Sequence, residues 1–280
     1  MEAIEKIEGM KEFSSRARAS GKTIALVPTM GCLHRGHIEL IKKAKTLCDI
    51  VVLSVFVNPA QFGPAEDYER YPRNMERDIN AALREGVDVL FNPSAGEIYP
   101  EDYLTFVDVE KLPARLCGLS RPGHFKGVTT VVVKFFNIVM PHAAVFGLKD
   151  YQQQLIIKRM VKDLNMDVEI ATVETVRDTD GLAMSSRNEY LSKSERAAAR
   201  CVPRSIGAAE AAYLKGERDA ANIIEKARGI IGGEPLVKSD YVVVCDPETL
   251  IPVEMIKGRA VILLAVRIGD VRLIDNCMLG

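Results

Sequence analysis

The sequence predicts an α/β fold, a parallel sheet wrapped by helices with a smaller α+β domain behind it, and three observations carry that expectation. Apolar runs of strand length alternate with helical patterns from residue 23 onwards, the arrangement that covers a parallel sheet on both faces. Residues 28–37, PTMGCLHRGH, join one such run to a helix through a turn bearing Gly31 and Gly36. After about Arg187 the composition shifts to stretches rich in alanine and charge, followed by three consecutive extended runs, the order expected of a separate α+β domain.

The elements follow in order. Residues 23–27 read as a strand, a helix starts at His37 with Ile38, Leu40, Ile41 and Leu47 apolar, and 50–57 form a second strand. A helix over 74–84 and a strand over 87–91 continue the alternation, and 92–125, with Pro93, Pro100, Pro113 and Pro122, read as turns and short extended pieces. Residues 128–140 are rich in β-branched side chains, yet thirteen residues is long for one strand, so the run reads as a buried helix. A strand at 143–146, a helix at 151–164 and a strand at 167–176 complete the first part. Helices over 194–214 and 218–231 then lead to strands at 241–245, 260–267 and 271–274, which places two domains at 1–175 and 176–280.

Bulk properties narrow the function. A formal net charge of −1 gives no electrostatic reason to expect nucleic acid as a partner, so any phosphate site is local. The start, MEAIEKIEGMKEF, mixes charge with apolar residues and lacks the apolar core of a secretion signal, and no apolar stretch is long enough to span a bilayer. Six cysteines without a CxxC pair fit reduced thiols. The expectation is a cytoplasmic protein with no membrane and no nucleic-acid partner.

Five segments carry chemistry. In PTMGCLHRGH the N–H groups of a helix start attract an anion such as phosphate, and His34 and His37 can donate to phosphate oxygens. A zinc pair is the competing reading, but no third ligand stands nearby in sequence. In VFVNPAQF, Asn58 and Gln61 follow a strand end, where ligands bind in open sheets; an Asx turn at Asn58-Pro59 explains the same residues. In FGLKDYQQ, Lys149 offers a mobile cation, Asp150 a cap for the next helix, and Gln153 lies one helical turn further on. In GLAMSSRNEY, Ser185, Ser186 and Arg187 suit pyrophosphate, although Ser186 and Glu189 also have capping-box spacing. In SRPGHFKG, the loop with Arg121, His124 and Lys126 either holds a substrate carboxylate or is simply exposed.

These five motifs, in this order and spacing and with the ending GDVRLIDN, resemble the pantoate–β-alanine ligase family along nearly the full chain. The first motif alone marks only the wider nucleotidylyltransferase and class I aminoacyl-tRNA synthetase group. The resemblance implies a Rossmann-like, doubly wound domain, a mobile C-terminal lid domain, a homodimer, and magnesium with ATP as co-substrate. It implies that (R)-pantoate and β-alanine are joined through a pantoyl adenylate, with release of AMP and pyrophosphate. By motif position it implies ATP contacts at Met30, Gly31, Cys32, Leu33, His34, Arg35, Gly36, His37, Gly147, Leu148, Lys149, Asp150, Val176, Met184, Ser185, Ser186 and Arg187. His37 takes the place of the proton donor, Gln61 meets both pantoate and β-alanine, and Gln153 meets pantoate. His34, His37 and Lys149 would stabilise charge at the attacked phosphorus. The chain departs from the family pattern at Arg35, where an acidic residue is common, and at Leu148, where a polar one is usual. Magnesium is expected to be held mainly by the phosphates, with few protein ligands, Asp78 being a candidate helper. Two other functions fit the phosphate motifs: a nucleotidyltransferase that stops at a stable conjugate, and a nucleotide-sensing protein without turnover.

Overall fold

The computed structural model describes residues 1–64 and 66–280. The chain divides into two units, the first made of residues 1–113, 121–148 and 152–174, the second of 114–120, 149–151 and 175–280.

The first unit is built on six strands, β1 (Glu2–Ile4), β2 (Ile24–Thr29), β3 (Ile50–Val55), β4 (Val89–Phe91), β5 (Ala143–Gly147) and β6 (Glu169–Val173). All are parallel, in the order β1-β4-β3-β2-β5-β6. The central strands are apolar on both sides because both faces are covered. Ile24 and Leu26 of β2 with Ile50 and Val52 of β3 join one buried cluster, while Ala25, Val27, Val51, Leu53 and Val55 join another. This period-two split is that of a strand packed between two helical layers.

The described residues also form the helices α1 (Ile7–Ala19), α2 (Arg35–Leu47), α3 (Met75–Arg84), α4 (Ala95–Ile98), α5 (Cys117–Ser120), α6 (His124–Val139), α7 (Tyr151–Asp163), α8 (Lys193–Ala199), α9 (Cys201–Leu214) and α10 (Ala220–Gly232). Met10 of α1 and the α6 residues Val128, Val131, Val132, Phe135, Phe136 and Val139 pack on one face; Leu40, Ile41 and Ala44 of α2 with Ala81 and Ala82 of α3 pack on the other. In α6 burial on nearly every side outweighs β propensity, and the helix stops at Met140, left-handed at φ 48°, before Pro141. The strand order reverses at β2 and β5, and in such sheets the loops leaving the C-terminal ends of the two central strands diverge and leave a crevice. The loop bearing His34 and His37 leaves one of those ends.

In the second unit α9 and α10 cover an antiparallel sheet, β7 (Val237–Cys245), β8 (Ala260–Ile268) and β9 (Val271–Leu279), in that order.

Several boundaries differ from expectation for identifiable reasons. The helix expected over 194–214 breaks at Arg200 into α8 and α9, because Pro203 can sit only in a first turn. Strand β7 starts at Val237 rather than 241, its register shifting between Ser239 and Tyr241, so the alternation is interrupted there. Strand β9 runs on from 274 to Leu279 through Asp275, a charge that reads as a strand end in sequence. The first strand and helix lie outside the expected elements; β1 is three residues long and α1 is mostly charged on its outer face.

Helix α6 approaches the turn at Pro59–Gln61 so closely that a Cβ added at Gly127 would stand 2.6 Å from the Gln61 nitrogen and nearer still to the Ala60 carbonyl. Gly127→Ala is therefore expected to destabilise the fold by about 1–3 kcal/mol, read as a lower urea midpoint at unchanged slope.

Candidate functional site

The loop leaving β2 folds around Asp78 of α3, whose side chain is 1% exposed. One carboxylate oxygen accepts the Cys32 N–H at 2.8 Å and the other accepts the Leu33 N–H at 2.7 Å. Gly31 has φ +82°, and a Cβ there would stand 2.8 Å from an Asp78 oxygen, so only glycine fits. Cys32 follows at φ 51°, also left-handed. The Gly31 N–H donates to the Thr29 hydroxyl at 3.2 Å, which in turn donates to the Ser54 carbonyl at 2.7 Å.

The two imidazoles complete the loop by capping α2. The His34 N–H donates to His37 Nδ1 at 3.2 Å, the Gly36 N–H donates to His34 Nδ1 at 3.1 Å, and the rings stack with centroids 4.0 Å apart. The N–H groups of residues 31, 32, 33, 34 and 36 are taken by the chain's own acceptors. Asp78, offered as a helper for magnesium, has an N–H on each oxygen and holds the loop. The geometry assigns the imidazole protons: a ring whose Nδ1 accepts an N–H carries its proton, when neutral, on Nε2. Both rings are then donors through Nε2, and protonating Nδ1 would set N–H against N–H and undo the cap.

Gln61 is oriented by a second buried side chain. Asn58, 1% exposed, donates from Nδ2 to Gln61 Oε1 at 3.0 Å and to the Gly127 carbonyl at 3.1 Å. Its Oδ1 accepts the Tyr99 hydroxyl at 2.9 Å and the Ala60 N–H at 3.3 Å. The Asx turn is thus present and is half of what Asn58 does. With Oε1 held, Gln61 turns its NH₂ towards Met30, whose sulfur accepts at 3.2 Å. Burial, with Tyr103 adding, holds the Tyr99 phenol well above its usual range, so it stays a donor.

In the cationic loop the chain itself engages Arg121 and His124 and leaves Lys126 exposed. Arg121 grips Glu66 with Nε at 2.7 Å and Nη2 at 2.6 Å, and its Nη1 lies 3.0 Å from His124 Nε2. Nδ1 of His124 lies 2.8 Å from the Gln61 carbonyl oxygen, so the ring donates there and accepts from the guanidinium. Arg121 and His124 brace the main chain of Gln61. Lys126 is exposed, its ammonium 5.2 Å from the Phe106 ring centre.

In the second unit, Val176 and Met184 are joined across a short ribbon, the Met184 N–H donating to the Val176 carbonyl at 2.9 Å. The 3₁₀ turn Ser186–Tyr190 follows. Its cap is Ser185, which accepts the Arg187 N–H at 3.3 Å, and the Ser192–Glu195 pair forms the capping box expected at Ser186–Glu189. Lys149 lies in the 3₁₀ turn Leu148–Asp150, and its carbonyl accepts from Asn276 Nδ2 at 3.0 Å.

Met30, Gly31, Cys32, Leu33, His34, Arg35, Gly36, His37, Gly147, Leu148, Gln61 and Gln153 thus belong to the first unit. Lys149, Asp150, Val176, Met184, Ser185, Ser186 and Arg187 belong to the second. Within the first unit the structure brings Met30 to Gln61 and His34 to His37. The sequence reading misses the supporting roles of Asp78, Tyr99, Glu66 and Asn276. For Asp78 a signal is present: a carboxylate on the buried face of α3, one turn from Met75 and Ala82. Among the described residues no group of three or more His, Cys, Asp or Glu side chains could hold a metal ion, and no helix is long and apolar enough to cross a membrane.

Known proteins match the whole chain. The family model described as pantoate-beta-alanine ligase matches residues 2–278. A pantothenate synthetase of Pelotomaculum thermopropionicum is 55% identical over 274 residues, covering 98% of this chain and 97% of its own. That of Geobacter sulfurreducens is 53% identical over 280 residues, covering 100% and 99%. Among solved structures, pantothenate synthetase from Thermus thermophilus superposes with a TM-score of 0.95 at 43% identity, covering 99% of each chain. A pantoate-beta-alanine ligase from Francisella tularensis, complexed with beta-gamma ATP and beta-alanine, gives 0.79 at 36% identity, covering 99% of this chain and 97% of its own.

Replacing Asp78 by Ala strands two buried N–H groups at about 1–3 kcal/mol each, whereas Asn keeps one acceptor. Thermal unfolding is expected to rank wild type above Asp78→Asn above Asp78→Ala; equal midpoints in the two variants would refute the double acceptor. Burial raises the Glu66 carboxyl, but the two Arg121 bonds outweigh it and hold it below its ordinary 4.5. The stability it contributes is present above pH 4.5 and is lost as pH falls through the lower folded value. Glu66→Gln is expected to flatten that acid limb in urea midpoints taken from neutral pH downwards.

Proposed function

The chain belongs to the pantoate–β-alanine ligase family, and on that premise we propose that it makes pantothenate from (R)-pantoate, β-alanine and ATP by way of a pantoyl adenylate, releasing AMP and pyrophosphate. The observation that carries the chemistry is the histidine cap, which holds two imidazoles at a helix start with their neutral protons on Nε2. Both are preorganised donors for oxygens that gain charge when a phosphorus is attacked. The Francisella relative, complexed with beta-gamma ATP and beta-alanine, supports ATP and β-alanine as ligands.

In the first step a pantoate carboxylate oxygen attacks the α-phosphorus of ATP. A new O–P bond forms, the bond to the β-phosphate breaks, and pyrophosphate leaves with the electron pair. Gln61 and Gln153 orient pantoate, Gln61 through the NH₂ that the bond from Asn58 to its Oε1 leaves as the donor. His34, His37 and Lys149 stabilise the phosphate charge, His37 donating towards the leaving group. Met30, Gly31, Cys32, Leu33, Arg35 and Gly36 with Gly147, Leu148, Asp150 and Val176 line the nucleotide, while Met184, Ser185, Ser186 and Arg187 meet its phosphates. In the second step the β-alanine amine, also held by Gln61, attacks the adenylate carbonyl; the C–O bond to AMP breaks and the amine loses a proton. Activation is needed because a free carboxylate is a poor electrophile.

Magnesium enters with ATP as its phosphate complex. We place residues 1–175 as the nucleotide- and pantoate-binding domain and 176–280 as the lid domain, in a homodimer. Six cysteines present as thiols suit a reducing cytoplasm.

Losing one preorganised donor costs about 2.7–4 kcal/mol, or 10²- to 10³-fold in rate. His37→Ala and Lys149→Ala are expected to fall at least that far in pyrophosphate release with the fold retained, His37→Ala melting somewhat lower because the α2 cap loses an acceptor; near-normal turnover in either refutes its role. Omitting substrates in turn tests the reaction. A burst of pyrophosphate is expected with ATP and pantoate, and AMP in steady turnover only when β-alanine is added. A stable nucleotide conjugate as end product would mark a nucleotidyltransferase, and no pyrophosphate at all a sensor.

A further inference from the structure

The chain ends in GDVRLIDN followed by four residues, a motif with no direct part in the reaction described above. Its last two residues, Asp275 and Asn276, lie mid-way along β9, at an edge of the three-stranded sheet. Successive side chains on a strand point to opposite faces, and these two reach two different segments of the same unit.

The Asp275 carboxylate, with no side-chain exposure, takes both arms of the Arg177 guanidinium at 2.6 and 2.9 Å. Arg177 also donates to the Gly181 carbonyl at 3.1 Å, closing the ribbon in which Arg177 pairs with Ala183 and Val176 with Met184. Asn188 donates to the Ala183 carbonyl at 3.1 Å, continuing the brace into the turn that Ser185 caps. On the other face, Asn276 Nδ2 donates to the Lys149 carbonyl at 3.0 Å. The two are coupled, since the Asn276 N–H donates to Asp275 Oδ1 at 2.9 Å. One dipeptide thus fixes the ribbon bearing Val176 and Met184 to Arg187 together with the main chain of Lys149.

We propose that Asp275 and Asn276 are positioning residues for the nucleotide's phosphates, setting Lys149 and the Ser185–Ser186–Arg187 segment in one frame. The assignment rests on the ligase reading for the identity of those phosphate ligands. A charge buried mid-strand is costly unless paired, and here the pairing is what ties a phosphate-binding ribbon to the sheet.

The experiment uses the full chain and compares wild type with Asn276→Ala, Asn276→Asp and Asp275→Asn. MgATP affinity is read by calorimetry, and KM for each substrate by pyrophosphate release. Displacement of a positioned group by about 1 Å can change rates on the order of 100-fold, so Asn276→Ala is expected to raise the Kd and KM for ATP about 10-fold or more. The KM for pantoate, whose ligands lie in the other unit, should stay within about two-fold. Asn276→Asp, equal in size but without the amide donor, should match the alanine variant; Asp275→Asn should show the same ATP-selective loss with a lower melting temperature. Folded Asn276 variants with unchanged ATP parameters, or with all three KM values raised alike, overturn the proposal. If wild type binds MgATP yet releases no pyrophosphate with pantoate, the ligase reading fails and the affinity comparison still decides the positioning role. If wild type does not bind MgATP, both fall.

Discussion

The grip of one buried carboxylate on two main-chain N–H groups sets the shape of the loop on which the candidate site depends. Asp78 reaches from α3 to Cys32 and Leu33, and around that anchor the chain accepts two left-handed residues, Gly31 and Cys32. An L residue other than glycine is strained there by roughly 1–2 kcal/mol, and a buried N–H without an acceptor adds a further cost. The carboxylate removes the second penalty and so tolerates the first. With residues 31 to 33 fixed, the chain enters α2 at an angle that lets His34 and His37 exchange cap bonds. The tautomer of both rings follows from that exchange.

Asn58 and Asp275 repeat the pattern in other places. Each is a buried polar side chain that directs its hydrogen bonds to segments outside the regular ladder: Asn58 to the Pro59–Gln61 turn and the start of α6, Asp275 to the Arg177 ribbon. Loop main chain has no ladder partner, so its polar groups are met by side chains or by water. Side chains have the advantage of a fixed geometry. The sheet gives these anchors a rigid base, and several of the groups proposed to meet substrate are presented by irregular segments that such side chains hold.

The relation between sequence and structure varies by level. The alternation of apolar runs with helical patterns reveals the class of fold, because burying both faces of a parallel sheet leaves that mark on every strand. The positions of the motif residues at strand ends are legible for the same reason. What each motif residue does is less so. The glycines and histidines of PTMGCLHRGH suggest a turn into a helix start, and the structure adds that the N–H groups of residues 31 to 34 and 36 are met by Asp78, Thr29 and the imidazoles. The loop of Arg121 reads either as a holder of a substrate carboxylate or as exposed, and the structure engages the guanidinium with Glu66. Asp78 lies 45 residues or more from the N–H groups it accepts and Glu66 lies 55 from Arg121, beyond any local pattern.

Sequence by itself determined the two-part architecture, the strand-turn-helix frame of the loop after β2, and the helical state of a β-branched run too long for a strand. These follow from periodicity and length, which are local and survive without knowledge of neighbours. Tertiary structure alone decided that β9 continues through a charged residue, which nitrogen of each imidazole holds the proton, and which way the Gln61 amide faces. Each of these depends on a polar atom finding one particular partner across the fold, and the sequence records that such an atom exists without recording where its partner stands.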